Sequence, residues 1–179
     1  MLRLDNTFLV FIDVQGNLAQ AMYEKEALFD NLQRLVRGMR VLEVPIIVTE
    51  QNPKGLGPTI SQLAQLLTGI PAIPKFAFSC CGDPQFAQEL QKLNRKQALI
   101  AGIETHVCVY QTAMDLMAQG YEVQIVADCV SSRTARNRDI GFARLQGEGA
   151  KLTCTEMALF ELLKAAEGAK FKEIIKIVK

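Results

Sequence analysis

The chain has 179 residues, enough for one domain with a buried core, and 49% of them are hydrophobic against 22% charged. Twenty Lys and Arg oppose nineteen Asp and Glu for a net charge of +1, with the signs well mixed, so the basic footprint of a nucleic-acid binder is missing. No apolar run reaches the ~18 residues of a membrane span, and no membrane partner is expected.

The amino terminus, MLRLDNTFLVFIDVQ, runs straight into a strand pattern over 7–13 that closes on Asp13, with Gln15 two residues later. It lacks the small-residue cleavage site of a secretory signal, and a cytoplasmic protein is expected. A helical period follows over 24–42, then a strand over 44–49 opened by Pro45, with Gln51 just beyond it. A helix over 59–67 leads to a short strand over 72–75 in IPAIPKFAF, ending at Lys75. Phe76, Phe78, Cys80 and Cys81 follow before a helix over 84–93. The stretch LIAGIETHVCVYQTA holds a strand over 97–102 and a helix over 106–119 that Cys108 enters. Gly120 ends that helix ahead of a strand over 121–127, which is followed by Arg133 and Arg136. The last pair is a helix over 136–148 stopped by Gly149, and a strand over 150–154 leading to a helix over 155–165 capped by Thr155. The tail KFKEIIKIVK places Phe171, Ile174, Ile175 and Val178 on one helical face, the pattern of a docking helix and a candidate contact between copies.

Strands alternate with helices throughout, and FLVFI, IIV, ALIAG and VQIVA are apolar on both faces, as buried parallel strands are. The expectation is an α/β protein: a three-layer Rossmann-like sandwich, its mostly parallel six-stranded sheet covered by helices on both faces. No linker or repeat interrupts residues 1–179, which read as a single domain. The five cysteines are odd in number and lack a framework of spaced pairs, so reduced thiols are expected. One histidine, His106, with no CxxC or HxxxH spacing, leaves no metal site, and no cofactor is indicated.

Ligands of open parallel sheets sit beyond the carboxyl ends of the strands, where Asp13, Lys75 and the turn before Cys108 all map. A thiol is a good nucleophile only as thiolate. Helix-start N–H groups and an ammonium such as Lys75 favour that form, and Asp13 is placed to accept the proton. Each residue also has a plainer reading. Cys108 fits as a small buried hydrophobe, Asp13 as a capping acid or structural ion pair, and Lys75 as a snorkelling lysine. His106 lies two residues from Cys108 and so on a different helix face, which disfavours it as the base. Gln15, Gln51, Phe76 and Phe78 are candidate pocket residues. Arg133 and Arg136 are candidate carboxylate binders or solvated loop charges.

Asp13 in DVQ, Lys75 in the PKF segment and GIETHVCV before a helix, together with TEQNPKGLG, ADCVSSRT and GAKLTCTE, resemble the isochorismatase-like cysteine hydrolases from about Phe8 to Leu163. The resemblance implies an Asp13–Lys75–Cys108 triad, a cis peptide between Ile103 and Glu104, and an oxyanion hole formed by the N–H groups of Glu104 and Cys108. It also implies a homo-oligomer acting on a small molecule. Nicotinamidases of the superfamily hold a metal with an aspartate and histidines, a set that one histidine does not reproduce. True isochorismatases cleave a vinyl ether without a cysteine nucleophile. Amide, ureido or carbamoyl substrates fit this chain better. Two other classes remain: a small-molecule binding or interaction protein without turnover, and a thiol redox sensor in which Cys80 or Cys81 resolves oxidised Cys108.

Overall fold

The computed structural model describes residues 1–179. Six strands, β1 (Thr7–Ile12), β2 (Ile46–Gln51), β3 (Ala72–Lys75), β4 (Gln97–Ile103), β5 (Glu122–Ser131) and β6 (Lys151–Thr153), form one sheet in the order β3-β2-β1-β4-β5-β6. Every pairing is parallel. The long helices are α2 (Lys25–Leu42), α5 (Pro84–Leu93), α6 (Tyr110–Ala118), α7 (Ala135–Gly147), α8 (Thr155–Leu163) and α9 (Gly168–Val178). The short ones are α1 (Gly16–Gln20), α3 (Pro53–Leu56) and α4 (Ser61–Ala64).

Side chains of a strand alternate between faces, and β1 shows what that does here. Leu9 and Phe11 join Leu32, Leu35, Val36 and Met39 of α2 and Leu159 and Leu162 of α8 in one core. Phe8, Val10 and Ile12 join Phe86 and Leu90 of α5, Leu116 of α6 and Leu145 of α7 in the other. All six residues of β1 and all seven of β4 are buried, so the central strands must be apolar on both faces. The three-layer parallel architecture expected from the sequence is the one observed.

The chain leaves β1 toward β2 on one side and returns to β4 on the other, so the strand order reverses between β1 and β4. Their carboxyl ends flank the crevice such a reversal creates. Gly102 makes the close approach of β4 to β1 there. It has φ +121°, and a side chain at this position would run into the backbone of Ile12. At the same place β4 shifts register against β5, between Ile100 and Gly102.

Three local results differ from the sequence reading. The fifth strand runs on to Ser131, because Cys129, Val130 and Ser131 stay buried alongside the end of β4. The helices α1 and α3, of five and four residues, are too short for a hydrophobic period to announce them. The tail helix α9 docks on its own chain: Ile174 is buried with α2 and α8, and Lys170 pairs with Glu43 at 2.6 Å. Phe171, Ile175 and Val178 of the same face stay half-buried.

Replacing Gly102 by Ala forces a side chain into the backbone of Ile12 in a left-handed conformation, a cost of about 2 to 3 kcal/mol. Urea denaturation should show that loss, whereas Gly120→Ala, where nothing crowds the added methyl, should lose less.

Candidate active site

Asp13 follows the last residue of β1 and takes a left-handed conformation, φ +53°, which aspartate tolerates better than most residues. Its N–H donates to the carbonyl of Thr49 at 3.2 Å, which ties it to β2. Lys75 is the last residue of β3, two strands away. Its ammonium reaches Asp13 Oδ2 at 2.7 Å in an ion pair whose side chains are 0% and 1% exposed. Nζ also donates to Gln51 Oε1 at 2.7 Å and to the carbonyls of Phe78 and Ala77 at 3.1 and 3.2 Å. Asp13 Oδ1 accepts from the Thr49 hydroxyl at 2.7 Å. The contact at Oδ2 is an ion pair without hydrogen-bond alignment, and no other donor reaches that oxygen.

The peptide between Ile103 and Glu104 is cis, and the chain then makes one wide π-helical turn, Thr105–Val109, before α6. Cys108 sits inside this turn, 6% exposed. Burial pushes its thiol up to about 12, and the nearby Asp13 carboxylate adds to the rise, outweighing the opposing effect of Lys75. The sequence reading weighed the lysine without this burial, and Lys75 alone does not bring the thiol down. Dehydration and the facing carboxylate win, so at rest the proton stays on sulfur.

The structure thus brings Asp13, Lys75 and Cys108 together. It uses other candidates differently. Gln15 is fully buried and its amide is engaged by the chain itself: Nε2 donates to the carbonyls of Gly57 and Gln51 at 2.7 and 3.1 Å, and Oε1 accepts from Gln51 N–H at 2.7 Å. Gln51 bridges Lys75 to the carbonyl of Phe76, to which its Nε2 donates at 2.7 Å. Phe76 and Phe78 are 77% and 54% exposed, so they stand on the outside of this loop. Glu104 turns its carboxylate to Arg133, whose N–H and Nε donate to Oε2 at 2.9 and 3.2 Å. Arg133 thereby has its carboxylate within the chain. His106 Nδ1 lies 2.9 Å from Ser132 Oγ, a contact with the end of β5. A depression of about 540 Å³ among Arg40, Glu43, Thr68 and Ile70 lies by the start of β2, at the opposite edge of the sheet from the cluster.

Residues 7–157 match the isochorismatase domain. The chain belongs to the isochorismatase family of hydrolases. It is similar to isochorismatase domain-containing protein 2 of Rattus norvegicus, 36% identical over 98% of this chain and 82% of that protein. Among solved structures it is similar to one described as the MAR1 ribonuclease from Caenorhabditis elegans, 35% identical with a TM-score of 0.93 over 99% of this chain and 91% of that one. It also shares its fold with the YcaC gene product from Escherichia coli, TM-score 0.93 at 21% identity, over 98% of this chain and 88% of the other.

Two further residues sit beside the cluster. Thr49 reads as an ordinary strand residue, and Cys80 as one of two adjacent thiols. Cys80 is fully buried with Sγ 3.7 Å from Thr49 Oγ1, and burial pushes it, too, up to about 12.

Removing the Lys75 ammonium leaves Asp13 buried without its counter-charge, so Lys75→Met should cost about 3 to 5 kcal/mol, and adding Asp13→Asn should recover part of it. Chemical denaturation of the two variants reads both numbers. The raised thiols have a separate signature. A thiol whose folded pKa exceeds its unfolded value stabilises the fold fully below the unfolded value, and the contribution is lost as pH rises toward the folded one. Stability should therefore fall from about pH 9 toward about 12, and Cys80→Ala should flatten that fall by about 1.4 kcal/mol per pH unit. Urea midpoints measured across alkaline pH check the slope.

Proposed function

We propose that the protein is a cysteine hydrolase of a small amide, ureido or carbamoyl compound, working through a thioester on Cys108. The observation that carries the reading is the buried Lys75–Asp13 ion pair at 2.7 Å beside that thiol. A carboxylate paired with a lysine, with one oxygen free of hydrogen bonds, is placed as a proton acceptor next to a nucleophile that still has its proton.

Asp13 takes the proton as sulfur attacks the carbonyl carbon. The N–H groups of Glu104 and Cys108 receive the developing oxyanion. The tetrahedral intermediate collapses to a thioester, the C–N bond breaks, and the amine or ammonia leaves with the proton from Asp13. A water molecule then gives a proton to Asp13 and its oxygen to the acyl carbon; the C–S bond breaks, the carboxylic or carbamic acid is freed, and the departing sulfur takes the proton back from Asp13 to restore the thiol. Lys75 stays beside Asp13 and balances its charge whenever the proton is elsewhere. Because only the Cys108 edge of the cluster reaches the surface, a compact substrate suits it.

The YcaC structure is described as an octameric hydrolase of unknown specificity, and on that likeness this chain also forms a homo-oligomer. Five free cysteines suit a reducing, cytoplasmic setting. The likeness to the structure described as a ribonuclease supports a second reading, cleavage of RNA. Charge weighs against it: Lys75 is buried in an ion pair and Arg133 is paired with Glu104, so the site offers little to phosphates.

Intact-mass measurement after exposure to a panel of small amides, ureas and carbamoyl compounds tests the proposal. Wild-type protein should gain a thioester adduct or release product, and Cys108→Ala should do neither while remaining folded. Equal turnover by the variant sinks the thioester scheme. Degradation of an RNA oligonucleotide by wild type but not by Asp13→Asn moves the assignment to the second reading.

A further inference from the structure

Thr49 lies in the middle of β2 between Ile12 of β1 and Ile73 of β3, and it is completely buried. It meets Asp13 twice: its carbonyl accepts the Asp13 N–H at 3.2 Å and its hydroxyl donates to Asp13 Oδ1 at 2.7 Å. The outer torsion of an aspartate is soft and roughly two-fold, so a lone carboxylate does not keep one oxygen facing one way. This one is pinned at Oδ1 from the β2 side. On the far side of Oγ1 lies Cys80 Sγ at 3.7 Å, itself held by the bond from its N–H to Thr112 Oγ1 at 3.0 Å. With its hydrogen given to the carboxylate, Oγ1 has only a lone pair to offer the Cys80 thiol, which fixes the direction of the hydroxyl.

We propose that Thr49 is a positioning residue of this site: its hydroxyl holds one carboxylate oxygen of Asp13 so that the other faces Lys75 and the proton of Cys108. The proposal rests on the cysteine-hydrolase reading for its consequence, and on geometry alone for the pinning. The charged and titratable groups around Asp13 are Lys75 from β3, Cys108 from the turn after β4, and Cys80 from the turn Cys80–Gly82. None of them replaces the donor at Oδ1.

Two readouts test this. Alkylation of Cys108 by iodoacetamide, followed by peptide mass mapping between about pH 5 and about 10, compares wild type with Thr49→Val, Thr49→Ser and Asp13→Asn. Thr49→Val should slow the neutral-pH rate about tenfold, the worth of one charge-assisted hydrogen bond, and its profile should approach that of Asp13→Asn. Thr49→Ser, which keeps the hydroxyl, should restore the wild-type profile. A crystal structure of Thr49→Val should show the Asp13 carboxylate turned and its ion pair with Lys75 opened. Thr49→Ala serves in both measurements if the valine variant does not fold. A wild-type profile together with an unturned carboxylate in the hydroxyl-less variant overturns the proposal. If the carboxylate turns but Asp13→Asn leaves alkylation unchanged, the positioning role stands and the cysteine-hydrolase reading fails.

Discussion

The rest of the site depends on one ion pair between side chains that water does not reach. Moving a carboxylate and an ammonium out of water costs several kcal/mol each, and their attraction offsets that only when further hydrogen bonds complete both groups. The fold supplies them from three strands. Thr49 of β2 serves Asp13 at the end of β1, while Gln51 and two carbonyls of the loop after β3 serve Lys75. A parallel sheet with a strand reversal between β1 and β4 is what brings these ends to one edge.

The same burial that strengthens the pair holds the neighbouring sulfur protonated. A negative carboxylate and a thiolate side by side in a dry site repel each other, which adds to the preference of this sulfur for the thiol form. That state resists adventitious electrophiles and oxidants, which attack thiolates. In the proposed reaction, charge separation is deferred to the moment when an incoming carbonyl takes the electron pair, and fixed N–H groups are most useful at that moment.

Much of the fold is legible in the sequence because buried parallel strands are written as short runs apolar on both faces, and because Gly120 and Gly149 mark helix ends. Asp13, Lys75 and Cys108 stand out as polar groups that interrupt or follow such runs. Thr49 does not, since threonine is common in strands and nothing in a linear pattern tells which β2 residue lies against which β1 residue. Gln15 and Gln51 attract notice as polar residues near a pocket, but an amide completes backbone groups as readily as it meets a ligand, and only coordinates show that Gln15 closes on Gly57 and Gln51. The raised thiol of Cys108 is hidden for a similar reason: the lysine is visible in sequence, whereas the depth of burial that outweighs it is not.

The loop after β3 shows how such polar groups join the site to its surroundings. Lys75 donates to the carbonyls of Ala77 and Phe78, and Gln51 to that of Phe76, so the backbone that displays two exposed phenylalanines is held by the residue paired with Asp13. Gln51 is held in turn by Gln15, which anchors it to the turn at Gly57. Displacing the loop would take two carbonyl acceptors from a buried ammonium, leaving it with Asp13 and Gln51 alone, and an under-solvated ammonium is costly in a dry site. The chain of bonds from Gly57 to Phe78 therefore makes loop shape and active-site charge a single constraint, although the loop itself carries no group of the proposed triad beyond Lys75 at its root.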